Sequence, residues 1–232
     1  MNPVRQALDE SGVDQARHNM IEQQIRPWEV LDQGVLELLQ TVRREDFVPR
    51  HLRGLAFVDF ELPLTIDGVA TGENMLAPKV EARLLQELGI HAHEQVLEIG
   101  TGTGYMAALA AHRALTVWTV EIDQRLQNFA AANLARAGIR NARVEGGDAA
   151  GGWAAHAPYD VIIVSGSLPS LPATLLDQLK LGGRLAAIVG TGPAMQAQLV
   201  TRTSQGRFET LPLFETATRP LRNAQAASSF RF

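Results

Sequence analysis

An α/β fold built on a doubly wound, mostly parallel sheet, with a C-terminal antiparallel hairpin and an N-terminal helical extension, is predicted by three features of this 232-residue chain. From Gln95 onward, short β-branched runs alternate with Ala/Leu-rich runs of helical spacing, the signature of parallel strands covered by helices on both faces. The run "QVLEIG" leads into glycines at alternate positions, Gly100, Gly102 and Gly104, and then into a helix-forming segment. Two extended runs near the end read as a hairpin added to that sheet.

The elements follow in order. Residues 1–20 are polar and read as helical or partly mobile. Residues 32–42, "DQGVLELLQTV", form an amphipathic helix with Asp32 as N-cap and Val35, Leu36, Leu38, Leu39 and Val42 on its apolar face. Pro49 closes the following segment. Residues 56–64 read as extended and 66–74 as a glycine-containing loop. Residues 78–90 form a helix that Pro78 opens and Gly89 ends. Then come strand 95–100, helix 103–113, strand 115–122, helix 124–138, strands 142–147 and 159–166, helix 172–180 and strand 183–190. The closing hairpin takes 197–203 and 207–215. The predicted division is 1–77, a helical extension with a loop, and 78–232, the sheet domain.

Composition narrows the function. With 46% hydrophobic and 20% charged residues the chain is ordinary globular material, long enough for a sizeable core. A formal net charge of −4 provides no electrostatic footprint for nucleic acid or an anionic membrane. The absence of cysteine rules out disulfides, zinc-thiolate sites and a thiol nucleophile. No apolar signal core opens the chain and no apolar run has spanning length, so a soluble cytoplasmic protein is expected.

Ligands of such sheets bind beyond the carboxyl ends of the strands, which directs attention to the glycine turn. A P-loop would need Lys-Ser/Thr after the last glycine, where this chain has Tyr105-Met106. The stretch from Gly102 to Ala107 does match G-x-G-x-x-A, and Glu121 lies where a ribose-binding acid belongs, so a dinucleotide is the rival ligand. Glu98, just before the turn, favours a cationic ligand and would repel a pyrophosphate. S-adenosylmethionine carries both an ammonium and a sulfonium. Asp148, past the next strand but one, is suited to an adenine amino group. Other chemistry has little support: no H-x₃-H pair, no G-x-S-x-G elbow and no clustered tryptophans occur, and "HAHE" (91–94) reads as a connection rather than a metal site.

Several segments together resemble the protein-L-isoaspartate O-methyltransferase family. "MIEQQIRPWEVLDQGVLELLQTVRREDFVP" is similar to its N-terminal helical segment, and "AFVDFELPL" to its A-Y-x-D-x-x-L-P-I stretch. "VLEIGTGTGY" is similar to its V-L-E-I-G-T-G-S-G-Y loop, residues 147–185 to its G-D-G-x-x-G-W to G-G-R-L region, and "FETATRPL" to its F-V-P-L closing strand. The resemblance implies a Rossmann-like methyltransferase sheet and S-adenosylmethionine held through Glu98, Gly100, Gly102 and Gly104. It implies Glu121 at the ribose and Asp148 with Ala149 at the adenine, with Thr101, Ile122 and Ser165 completing the set. It implies methylation of isoaspartyl carboxylates as the start of a repair cycle.

The acceptor side departs from the family. Between L-P-I and the next helix the family carries G-x-G-Q-T-I-S-x-P, whose Ser and Thr face the methyl acceptor. Anchoring on Pro78 puts Leu76 at the serine and Asn74 at the threonine, in a longer loop, and "SGSLP" (165–169) replaces T-A-A-A-P. An anionic oxygen acceptor needs alignment and a dry cleft rather than a general base. Thr71, Asn74, Ser165 and Ser167 are the candidate positioning groups. The leading reading is an O-methyltransferase acting on a carboxylate or another oxygen of a protein, peptide or small molecule, with an acceptor other than isoaspartate favoured by the altered loop. A cofactor-binding protein of the same fold without isoaspartyl activity and a nicotinamide oxidoreductase are the alternatives.

Overall fold

The computed structural model describes residues 10–224. The N-terminal part carries α1 (Glu10–Met20), a π-turn over Ile21–Ile25, a 3-10 turn at Arg26–Trp28 and α2 (Gln33–Thr41). Residues 1–9 of the predicted polar segment lie outside the described residues. Asp32 caps α2 as expected, its Oδ1 accepting from the Val35 amide at 2.8 Å. Two 3-10 turns, Arg44–Asp46 and Arg50–Leu55, lead to β1 (Leu62–Ile66) and β2 (Val69–Met75), an antiparallel pair. Helix α3 (Pro78–Leu88) ends at Gly89, whose φ of 50° lies in the left-handed region that such caps require.

The main sheet has seven strands, β3 (Gln95–Ile99), β4 (Thr116–Glu121), β5 (Ala142–Gly146), β6 (Tyr159–Leu168), β7 (Leu179–Thr191), β8 (Ala194–Ser204) and β9 (Arg207–Thr216). Helices α4 (Tyr105–Ala111) and α5 (Gln124–Arg136) alternate with the first three, and α6 (Ala173–Leu176) precedes β7. The order is β5-β4-β3-β6-β7-β8-β9, parallel through β7 and antiparallel from there to β9. Connections leave β3 to one side and resume at β6 on the other, so the crevice lies at the carboxyl ends of β3 and β6.

Alternate residues of the central strands face opposite layers. Val96, Val161 and Ile163 pack with the N-terminal elements and with α3 and α4. Leu97, Ile162 and Val164 pack with Ala149, Leu175 and Leu179 on the other face. Every residue of α4 is buried, which fits its all-round apolar sequence. Residues 20–66 share the apolar cluster of α3 and α4. Arg44, fully buried, ties the two parts together: Nε donates to the Ala56 carbonyl (3.0 Å), Nη2 to the Leu76 carbonyl (2.6 Å) and Nη1 to Glu81. No helix among the described residues is long and apolar enough to cross a membrane.

Four expectations need correction. The stretch 66–74 is not a loop but the turn and second strand of a hairpin; Asp67 and Gly68, with φ of 50° and 79°, form the tight turn. Residues 56–61 are turns and bends rather than extended strand, which begins at Leu62. The helix expected over 172–180 is one turn, because Leu179 already pairs with Tyr159 as β7, and burial in the sheet overrides helical propensity. "FETATRPL" leaves the sheet after Thr216, and Pro220 forms an isolated parallel bridge to Ser167.

Candidate active site

The glycine turn is built by conformations that only glycine takes freely. Gly100, Gly102 and Gly104 have φ of 88°, 54° and 82°. Their roles differ. A Cβ on Gly100 would lie 3.2 Å from the Ser165 carbonyl oxygen and from Leu221, and one on Gly104 3.3 Å from Ala130, so these two glycines permit close packing. A Cβ on Gly102 would meet nothing within 4 Å, which leaves this residue for the approach of a ligand. Gly102→Ala is therefore expected to fold with a cost of about 1 kcal/mol from the positive φ alone, yet to weaken cofactor binding about tenfold or more. Gly104→Ala is expected to cost more stability, since its Cβ also strikes α5. Thermal melts and cofactor titration of the two variants separate these effects.

Glu98 lies beneath the turn on β3. The register pairs it with Thr119, whose Oγ1 donates to Glu98 Oε2 at 2.7 Å, and Ser165 Oγ donates to Oε1 at 2.9 Å. Burial pushes the Glu98 carboxyl up to about 8, against the pull of these two hydroxyls. Thr101, also buried, lies 2.6 Å from the Thr119 hydroxyl through its own Oγ1.

Glu121, at the end of β4, accepts from the Gly102 amide at 2.9 Å and the Asp123 amide at 3.0 Å. Burial raises its pKa, opposed by these amides. Ile122 beside it is 37% exposed, an apolar surface at a strand end that otherwise presents carboxylates. Asp148 follows β5, with Oδ1 on the Ala150 amide (3.1 Å) and Oδ2 on the Asn223 side-chain amide (2.9 Å); Ala149 is buried. The predicted cofactor residues therefore lie at the carboxyl ends of β3, β4 and β5, with Ser165 on β6 joined to them through Glu98.

The acceptor candidates divide. Asn74, Leu76, Glu98, Gly100, Gly102 and Ser165 line one narrow cleft between the hairpin and the glycine turn, together with Glu81 and Tyr105. Asn74 Nδ2 donates to Glu61 at 2.8 Å. Thr71 is not among the cleft-lining residues: its hydroxyl donates to the Leu64 carbonyl (2.9 Å) and accepts from the Glu73 amide (3.1 Å), which holds the hairpin. Ser167 is buried and donates to the Thr218 carbonyl at 3.2 Å. The cleft lining contains two carboxylates and no cation, a donor set that fits a sulfonium and an ammonium.

Residues 218–224, expected as far as Leu221 to belong to a closing strand, form a strap across this crevice. Leu221 packs against Gly100 and Gly166. Arg222 donates to Glu73 (2.6 Å), to the Thr71 carbonyl (2.7 Å) and to Asp123 (3.3 Å). Asn223 reaches Asp148. Asp123 is held well below the usual carboxylate range, first by the Arg125 side chain and then by the Arg125 amide and Arg222. Nothing local in "PLRN" signals these contacts.

The family model described as Protein-L-isoaspartate(D-aspartate) O-methyltransferase matches residues 15–225. A protein-L-isoaspartate O-methyltransferase of Methanoculleus marisnigri is 40% identical over 206 residues, covering 88% of this chain and 90% of that protein. One from Koribacter versatilis is 36% identical over 223 residues, covering 96% and 98%. A solved protein-L-isoaspartate O-methyltransferase is similar with a TM-score of 0.77 at 25% identity, over 90% of this chain and 67% of that one. A beta-aspartate methyltransferase from Plasmodium falciparum, solved with S-adenosyl-L-homocysteine, shares the fold with a TM-score of 0.73 at 18% identity, over 90% and 97%.

Proposed function

This chain belongs to the protein-L-isoaspartate O-methyltransferase family, and on that premise we propose that it moves the methyl group of S-adenosylmethionine onto isoaspartyl carboxylates of proteins and peptides. It is an S-adenosylmethionine-dependent methyltransferase. The observation that carries the acceptor reading is the shared cleft: the glycine turn and the Asn74-Met75-Leu76 segment line the same space, so an acceptor at the hairpin meets whatever the turn holds.

When bound, the cofactor supplies an electrophilic methyl on a sulfonium, with a neutral thioether as leaving group. The chain supplies the rest. Glu98 provides the counter-charge, with Thr119 and Ser165 fixing both of its oxygens. On this reading Glu121 takes the ribose hydroxyls, Ile122 meets the adenine face and Asp148 the adenine amino group. The acceptor oxygen is already anionic, so no base is required, and alignment in a water-poor cleft carries the rate. Leu76 offers no hydroxyl at the acceptor, which leaves the Asn74 amide and the strap as its polar contacts. No observation favours a non-catalytic role.

Such methylation serves protein repair, in the reducing cytoplasm that a cysteine-free chain suits. The methyl ester carries a methoxy leaving group that the carboxylate lacks, so the neighbouring amide nitrogen attacks its carbonyl, methanol departs, and the five-membered imide so formed is opened by water partly to normal aspartate. Prolonged incubation of an isoaspartyl peptide with protein and S-adenosylmethionine is expected to accumulate the aspartyl isomer on chromatography. A peptide left wholly isoaspartyl would overturn the repair role.

A further inference from the structure

A carboxylate entering this cleft faces Glu81 and Glu98 in its lining and Glu61 and Glu73 beside Asn74, so its binding needs a cation. Four lie on or near the hairpin and α3. Arg83, on α3, is held by Glu29 (2.9 Å) and Glu87 (2.6 Å). Arg44 is fully buried and spends its donors on Ala56, Leu76 and Glu81. Lys79 pairs with Asp59 at 2.7 Å and sits over the Trp28 ring, 4.3 Å from its centroid. Arg222 is different. Its side chain is 37% exposed; Nε and Nη2 are engaged, and Nη1 donates to no described residue.

We propose that Arg222 is the residue that holds the acceptor carboxylate, presenting Nη1 to one oxygen while the other faces the methyl group. The proposal rests on the isoaspartyl reading above. The placement supports it: the strap holds Arg222 between β2, at Thr71 and Glu73, and the end of β4, at Asp123, outside the residues that line the cleft but on the strand that carries Asn74 into it. The preceding residue, Leu221, packs over Gly100, so the guanidinium is tethered beside the turn. A guanidinium retains forked donors for a carboxylate while bound elsewhere, which an ammonium does less well. Glu73, on Nε, leaves Nη1 free but competes with the acceptor for the guanidinium's charge.

This competition separates a positioning role from a merely structural ion pair. Arg222→Gln is expected to raise the KM for an isoaspartyl peptide about 10- to 100-fold, the size of one charge-assisted hydrogen bond, with little change in the Kd for S-adenosylhomocysteine. Arg222→Lys is expected to recover part of the loss. Glu73→Gln is expected to act in the opposite direction and lower the acceptor KM, because it removes a negative charge that offsets the guanidinium and repels the acceptor carboxylate. If Glu73→Gln and Arg222→Gln raise KM alike and lower Tm alike, the pair is structural and the proposal fails. An unchanged KM in Arg222→Gln overturns it as well. A wild-type protein that binds S-adenosylhomocysteine yet methylates no isoaspartyl peptide overturns the isoaspartyl reading itself, and this proposal with it.

Discussion

Arg44→Met is expected to lower the unfolding free energy by about 3–5 kcal/mol, the cost of leaving a buried carboxylate without its partner. For a chain of this size that is a fall in Tm of roughly 6–20 °C. The guanidinium is wholly buried, and its loss strands Glu81 and the carbonyls of Ala56 and Leu76, all inside the protein. Burial already pushes the Glu81 carboxyl up to about 7, opposed by Arg44. Removal of the guanidinium drives it further and leaves the group protonated near neutrality. Methionine fills the arginine stem without adding a polar group. The effect reaches the cleft, since Leu76 lines it and Arg44 holds the Leu76 carbonyl. Pairing the change with Glu81→Leu is expected to restore much of the stability, because removing both charges avoids the stranded one. Denaturant unfolding of the two variants checks this; equal losses in both would contradict it.

Glu98→Gln is expected to weaken S-adenosylmethionine binding about 10- to 100-fold at pH 8 while leaving Tm nearly unchanged near pH 6. The reason is the carboxyl's raised pKa, about 8 in the fold against an ordinary 4.5. Between those values the native state holds a proton that the unfolded chain has released. Glu98 therefore makes the ligand-free protein less stable as pH rises through that window. A cationic ligand favours the ionised form, so binding below pH 8 expels the proton, and affinity climbs with pH towards a plateau above it. Glutamine mimics the neutral acid and cannot ionise, so its variant loses this part of the pH dependence. Calorimetric titration in two buffers of different ionisation enthalpy reads the proton directly. Equal proton release from wild type and variant would show that another group, such as Glu121, is responsible.

The parallel sheet and its glycine turn were legible because their causes are local. Alternating runs fix strands and helices, and glycines at 100, 102 and 104 allow the positive φ that the turn adopts. That Asn74 and Leu76 belong beside the glycine turn was equally readable once Pro78 anchored the segment. The hairpin was missed although Asp67-Gly68 is a strong turn signal, because Gly68 and Gly72 together read as loop. Helix α6 was overextended because Leu179 suits a helix locally and is claimed by Tyr159 across the sheet. The strap could not be read at all. Arg222 lies 149 residues from Glu73, and nothing in the intervening sequence marks that the chain's end returns across the strand-end turns. The favoured departure to an acceptor other than isoaspartate rested on the altered loop and on "SGSLP" at 165–169, and the relatives that share this chain's length give it no support.

The most direct measurement is the initial rate of methyl transfer from labelled S-adenosylmethionine to a matched pair of peptides, one isoaspartyl and one aspartyl. Base-labile methyl ester on the isoaspartyl peptide alone is the expected result, and would mean that Asn74, Leu76 and the strap still build an isoaspartyl site. No ester on either peptide, from protein shown to bind the cofactor, would contradict the isoaspartyl assignment and direct the search to other oxygen acceptors.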